Sequence, residues 1–194
     1  PSRGLLSARG VVPACRSLDC VSIFTLDVAD AGDVLRVAAT FDPDDPFARR
    51  QPSSSGSLEI APTGARIGVP AGGDLNFFGN SEAERLFAAA VERAAGLGAT
   101  IVEIDFAPFL ETARLLYEGP WVAERYQAIR EFFDAQPDSL HPVIRTIIGG
   151  GAGPSAADAF AADYRLRELR RKIEPVWSDI DAILTPTAPT IYTI

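Results

Sequence analysis

The apolar pattern is clearest between Leu115 and Phe133. From Pro120 onward, apolar residues fall at 121, 122, 126, 129, 132 and 133. Spacings of three and four predict one buried helical stripe. Gly119-Pro120 breaks the helix before it, since Gly accepts the turn and Pro suits a first helical position. Arg125 lies inside the stripe, four residues after Trp121 and four before Ile129. A guanidinium on an apolar face is costly unless an anion meets it. On the residues alone, a structural ion pair to Glu118, Glu124 or Asp105 is favoured over a ligand-binding role.

The same reading places the other elements. Cys20–Leu26 has the composition of a strand, and Asp30 is a good N-cap for a helix over Ala31–Thr40. Residues 42–57, rich in Pro, Asp and Ser, predict a surface loop. Within it, Ser53–Ser57 has no strand-turn-helix frame and reads as solvated chain, not as a nucleophile loop. Ala65–Pro70 predicts a short buried strand. Ser81, with Glu84 three residues on, predicts a capping box for a helix over Glu82–Leu97 that Gly98 ends. Residues 100–106 alternate and are β-branched, which predicts a second strand. Strand, helix and strand in this order make a βαβ unit and hence a parallel sheet.

Phe106–Leu116 is expected to be helical. A turn over Pro137–His141 precedes a short apolar helix, Pro142–Ile148, which Gly149-Gly150-Gly151 stops. That glycine run lacks the Lys-Ser/Thr of a phosphate loop and reads as a hinge or turn. Ser155 caps a long helix, Ala156–Ile173, with Asp158 in its first turn and Arg170, Arg171 and Lys172 in its last, matching the macrodipole. Val176–Asp181 reads as a short helix or turn, and Ala182–Thr185 as a buried strand. The 194 residues are expected to form a single α/β domain.

Composition narrows the chemistry. The net charge of −8, without a basic patch, argues against nucleic acid or anionic lipid as partner. No apolar run is long enough for a membrane span, and no signal-peptide pattern opens the chain. A start at Pro1 instead of Met suggests a processed or trimmed chain. Cys15 and Cys20 are the only two cysteines. They offer neither a disulfide framework nor, without clustered histidines, a zinc site, and they read as reduced thiols in a cytosolic protein. Any Ser-His or Cys-His machinery would have to use His141, the single histidine.

Three stretches carry a resemblance: GLLSARGVVPACRSLDCVSIF from Gly4, YEGPWVAERY from Tyr117, and DAILTPTAPT from Asp181. Together they resemble the allophanate hydrolases of the amidase signature family, along the whole chain. YEGPWVAERY is the most specific, separating allophanate hydrolases from other amidases. The resemblance implies an α/β/α sandwich around a mixed sheet. It also implies hydrolysis of allophanate to ammonia and carbon dioxide by a Lys, a serine with a cis peptide bond and a nucleophilic serine, with no metal or organic cofactor.

The family's Lys and Ser segments lie upstream of the first motif, so the resemblance assigns no catalytic residue here. Lys172, the only lysine, is in the wrong motif. The chain accordingly reads as a central portion of the amidase domain, truncated at both ends and inactive alone. Tyr117 and Arg125 match the family's substrate-binding tyrosine and arginine, which reverses the preference for an ion pair at Arg125. Asp19, Cys15 and Cys20 are assigned packing roles. The resemblance further implies a homodimer in the full-length protein and a functional link to urea carboxylase. The alternatives are another amidase, acting on an indole acetamide or a glutaminyl amide, and a non-catalytic binding or scaffold domain.

Overall fold

The computed structural model describes residues 2–50 and 63–192. In chain order the elements are α1 (Val28–Ala38), β1 (Arg66–Pro70), α2 (Ser81–Gly96), β2 (Thr100–Ile104), α3 (Ala107–Glu118), α4 (Val122–Ala135), α5 (Pro142–Gly149), α6 (Ala156–Ile173) and β3 (Ala182–Ile183). Short 3-10 turns follow α4, α5 and α6, at Pro137–Ser139, Gly150–Ala152 and Glu174–Ser178. The fold is mixed α/β. The chain divides into two compact units: Pro1–Glu59 with Leu116–Ala159, and Ile60–Leu115 with Phe160–Ile194. Ser53–Ser57 lies outside the described residues.

The second unit holds the sheet, in the order β2-β1-β3. Both pairings of β1 are parallel, Ile67 facing Ile101 on one side and Ala182 on the other, as the strand-helix-strand pattern predicts. Gly68, in the central strand, is buried and leaves room for Ile180 and Ile104. Among the described residues of this unit, Ile104, Ile180, Ala162 and Leu169 are buried in its core.

Arg66 fastens β3 to β1. Its guanidinium donates to both carboxylate oxygens of Asp181 (Nη2 to Oδ1, 2.7 Å; Nε to Oδ2, 3.2 Å) and to the Ser178 carbonyl (2.7 Å). The Arg66 N–H also donates to Asp181, at 2.8 Å. These donors, the side chain first and then the N–H, hold the Asp181 carboxyl down at about 2. An unfolded Asp titrates near ~3.9. The stabilisation is therefore present above that value and is lost as pH falls towards 2. Urea midpoints between pH 6 and pH 2 are expected to fall less steeply in Asp181→Asn than in the native protein; identical slopes would remove Asp181 from the account.

Several helix starts differ from expectation. Helix α1 begins earlier, because Asp27 in extended conformation accepts the Asp30 N–H (2.9 Å). Asp30 is thus a first-turn acid, not the cap. Helix α2 is capped by Asn80, whose Oδ1 accepts the Ala83 N–H at 3.0 Å, so Ser81 is its first residue and not its cap. Gly79, at φ +81°, delivers Asn80 to that position. Helix α6 matches, with Ser155 and Asp158 bonded reciprocally.

Cys20–Leu26 is not a strand. No strand pairs with it among the described residues, and Phe24 and Leu26 are fully exposed. β-branched composition without a ladder partner does not make a strand. The paired part of the last strand shrinks to two residues, although the Leu184 N–H still reaches the Gly68 carbonyl (2.9 Å). The glycine run takes the turn of the two expected forms: Gly149 ends α5, and Gly150–Ala152 form a 3-10 turn. Gly151 is buried so tightly against α4 that a methyl there would stand 2.5 Å from the Val122 carbonyl oxygen.

Candidate substrate-binding site

Helix α4 starts without a side-chain cap; Trp121 occupies the cap position in helical conformation. The start is held by a loop from the beginning of the chain. The Asp19 carboxylate gathers the N–H groups of Ala14 (3.1 Å) and Cys15 (3.0 Å). The N–H groups of Leu18 and Asp19 both return to the Cys15 carbonyl at 2.8 Å. The Cys15–Asp19 loop is therefore a stitched turn.

Two bonds tie this turn to α4. The Ser17 N–H donates to the Glu124 carboxylate at 2.9 Å, and the Cys15 thiol donates to the Trp121 carbonyl at 3.6 Å. Arg3 holds the other side of the turn by donating to the Ser17 carbonyl (3.1 Å).

Arg125 is half-buried, in the second turn of α4. Its Nε is sealed from solvent and has no hydrogen-bond partner among the described residues. Among the described residues it makes no ion pair. Glu124 is committed to Ser17, and Asp105 accepts the Ala107 N–H (3.1 Å). Among the described residues, the ion pair that the apolar stripe favours on its own is thus absent. An unpaired buried donor costs about 1–3 kcal/mol, and a bound anion would remove that cost.

The neighbour of Arg125 is Cys15, only 4% exposed. Burial pushes the Cys15 thiol up, and the Arg125 guanidinium against it pulls the other way. Burial prevails, so Cys15 stays a protonated, inert wall and not a nucleophile.

Tyr117, near the end of α3, is 74% exposed. It and Arg125 lie in the same unit, on either side of Gly119-Pro120. No hydrogen bond joins them among the described residues. Each can donate to a ligand, Tyr117 through one hydroxyl and Arg125 through a planar fork that fits a carboxylate.

Lys172 is exposed in the last turn of α6, a surface lysine as its sequence position suggests. Cys15 packs against the helix that carries Arg125, through its thiol on the Trp121 carbonyl, while Asp19 bonds within the turn itself. Sequence reading offers Glu124 only as an ion-pair partner of Arg125 and misses its bond to Ser17. As a first-turn acid it looks like a dipole complement, and nothing local signals a partner 107 residues away.

Residues 1–192 match the Amidase family, and the chain belongs to it. Within that family it is similar to the urea amidolyase of Saccharomyces cerevisiae, 42% identical over 97% of this chain and 10% of that protein. It is also similar to the solved allophanate hydrolase of Kluyveromyces lactis (TM-score 0.90, 40% identity), over 97% of this chain and 31% of that one. An amidase of Pseudomonas putida is 28% identical, over 97% of this chain and 41% of its own length. The chain thus spans a minor part of each of these relatives.

Proposed function

We propose that the chain is the substrate-binding portion of an allophanate hydrolase, an amidohydrolase that converts allophanate to ammonia and carbon dioxide. The observation that carries this reading is Arg125, a guanidinium with a buried, unused donor and no acid partner among the described residues. Allophanate has a carboxylate beside a urea-like amide. Arg125 pairs with the carboxylate in two-pronged geometry, which an ammonium could not reproduce. The Tyr117 hydroxyl holds a neighbouring substrate oxygen. An amidase for neutral amides would have no use for that guanidinium.

Bond cleavage follows the family's Ser, cis-Ser and Lys relay. The Lys takes the proton passed from the nucleophile, and backbone N–H groups stabilise the tetrahedral oxyanion. Residues outside these 194 supply the relay, since the only lysine here sits on the surface of α6. Carboxylation of urea is the reaction that supplies the substrate, which links the protein to a urea carboxylase.

The test is ammonia release. The full-length gene product is expected to release ammonia from allophanate, and residues 1–194 alone to release none. Failure of the full-length protein on allophanate, with turnover of neutral amides, would replace this reading with a general amidase. Turnover by residues 1–194 that a substitution within them abolishes would refute the assignment of the relay to other segments.

A further inference from the structure

We propose that Glu124 is a positioning residue for Arg125, acting through the Cys15–Asp19 loop. The inference rests on the substrate-binding role of Arg125 given above. Its structural basis is the path of hydrogen bonds around the start of α4. Among the described residues the guanidinium has no acid to fix it, and its Nε makes no hydrogen bond. The wall beside it is the Cys15 thiol. Cys15 belongs to a turn closed by Asp19, and that turn is fastened to α4 by the Ser17 N–H to Glu124 (2.9 Å) and by the thiol to the Trp121 carbonyl (3.6 Å). Glu124 precedes Arg125 in the chain, so one helical turn carries both the anchor and the group it orients. Releasing the anchor lets the thiol wall retreat and the guanidinium swing out of line.

Two variants of Glu124 separate reach from charge. Glu124→Gln keeps an oxygen at the same distance from the Ser17 N–H but removes the charge. Glu124→Asp keeps the charge but shortens the arm by one methylene. Displacement of a binding group by about 1 Å can cost about 100-fold. In the full-length enzyme, Glu124→Asp is therefore expected to raise KM for allophanate roughly 10- to 100-fold, with a much smaller change in kcat. Glu124→Gln should recover most of the native KM. The reverse order, Gln impaired and Asp near native, would show that charge and not the tie matters, and would overturn the proposal.

Cys15 gives the same test from the loop side. Cys15→Ala removes the donor to the Trp121 carbonyl and should raise KM, and Cys15→Ser, which restores a donor, should recover part of the loss. A native KM in both Glu124→Asp and Cys15→Ala would overturn the proposal even if one variant folds poorly. Arg125→Ala measured alongside distinguishes the two levels. If it raises KM while Glu124→Asp does not, only the positioning role falls. If it leaves kcat/KM unchanged, the substrate-binding role falls and takes the positioning role with it.

Discussion

Replacing Arg125 by alanine in the full-length enzyme is expected to cut kcat/KM for allophanate while leaving the fold intact. Removing one partner of a buried charge pair costs roughly 2–5 kcal/mol. At about 1.4 kcal/mol per decade this is a loss of roughly 30- to 4,000-fold. Arg125→Lys should recover only part of it, because an ammonium lacks the planar fork. Tyr117→Phe removes one hydroxyl from a largely exposed ring and should cost less.

Thermal stability makes the test sharp. A structural Arg125 would lower the melting temperature on removal. Here Nε is a buried donor with no partner among the described residues, so its deletion relieves an unfavourable desolvation that offsets the lost packing of the aliphatic stem. The melting temperature should move by less than about 4 °C, the shift that ~1 kcal/mol produces in a domain of this size. A neutral amide should lose far less kcat/KM than allophanate. Equal losses on both substrates, together with a large fall in melting temperature, would show that Arg125 serves structure and not the carboxylate.

What the sequence made legible divides along the range of the interactions. Helix α6 carries its own signals, from the Ser155–Asp158 pair to the basic last turn, and its ends agree with expectation. The parallel pairing of β1 and β2 also follows, because the intervening α2 must cross over between them. The error at the start of α2 is a choice between adjacent good caps. Asn80 and Ser81 are chemically close to equivalent, and the left-handed turn at Gly79 selects Asn80.

The support of the candidate site is a different case. Arg125 stands out from its own helix, since a cation interrupts an apolar stripe. The bonds around it join Ser17 to Glu124 and Cys15 to Trp121, at sequence separations of 107 and 106. Periodicity cannot report such a contact. It also cannot distinguish an arginine paired with a nearby acid from one left unpaired, and that distinction decides between structure and ligand binding. The network around Asp45 is hidden for the same reason. This carboxylate accepts from the Ser7 hydroxyl and from the Ala8 N–H at sequence separations of 38 and 37, inside a stretch that reads as plain surface loop.

In the sheet, the largest expected loss of stability comes from Ile180→Ala. Ile180 is 2% exposed and lies over Gly68 in the central strand, with Ile104 alongside. Deleting its outer carbons leaves a cavity that the backbone of β1 cannot fill, at a cost of about 2–5 kcal/mol. That is a large share of the ~5–15 kcal/mol by which a domain is normally stable. The reciprocal change at Gly68 fails for the opposite reason. A methyl there would stand 2.8 Å from Ile180 Cδ1 and 3.2 Å from Ile104 Cδ1, so Gly68→Ala overpacks the site and should cost about 1–3 kcal/mol. Combining the two places the new methyl in the space that Ile180 vacates. The double variant is therefore expected to be more stable than the sum of the single losses implies, by about 0.5–3 kcal/mol. Urea denaturation of the four proteins, with midpoints compared at a constant m-value, measures the coupling. Strict additivity would mean that the strand yields around the added methyl without involving Ile180, and the packing argument for this sheet would fail.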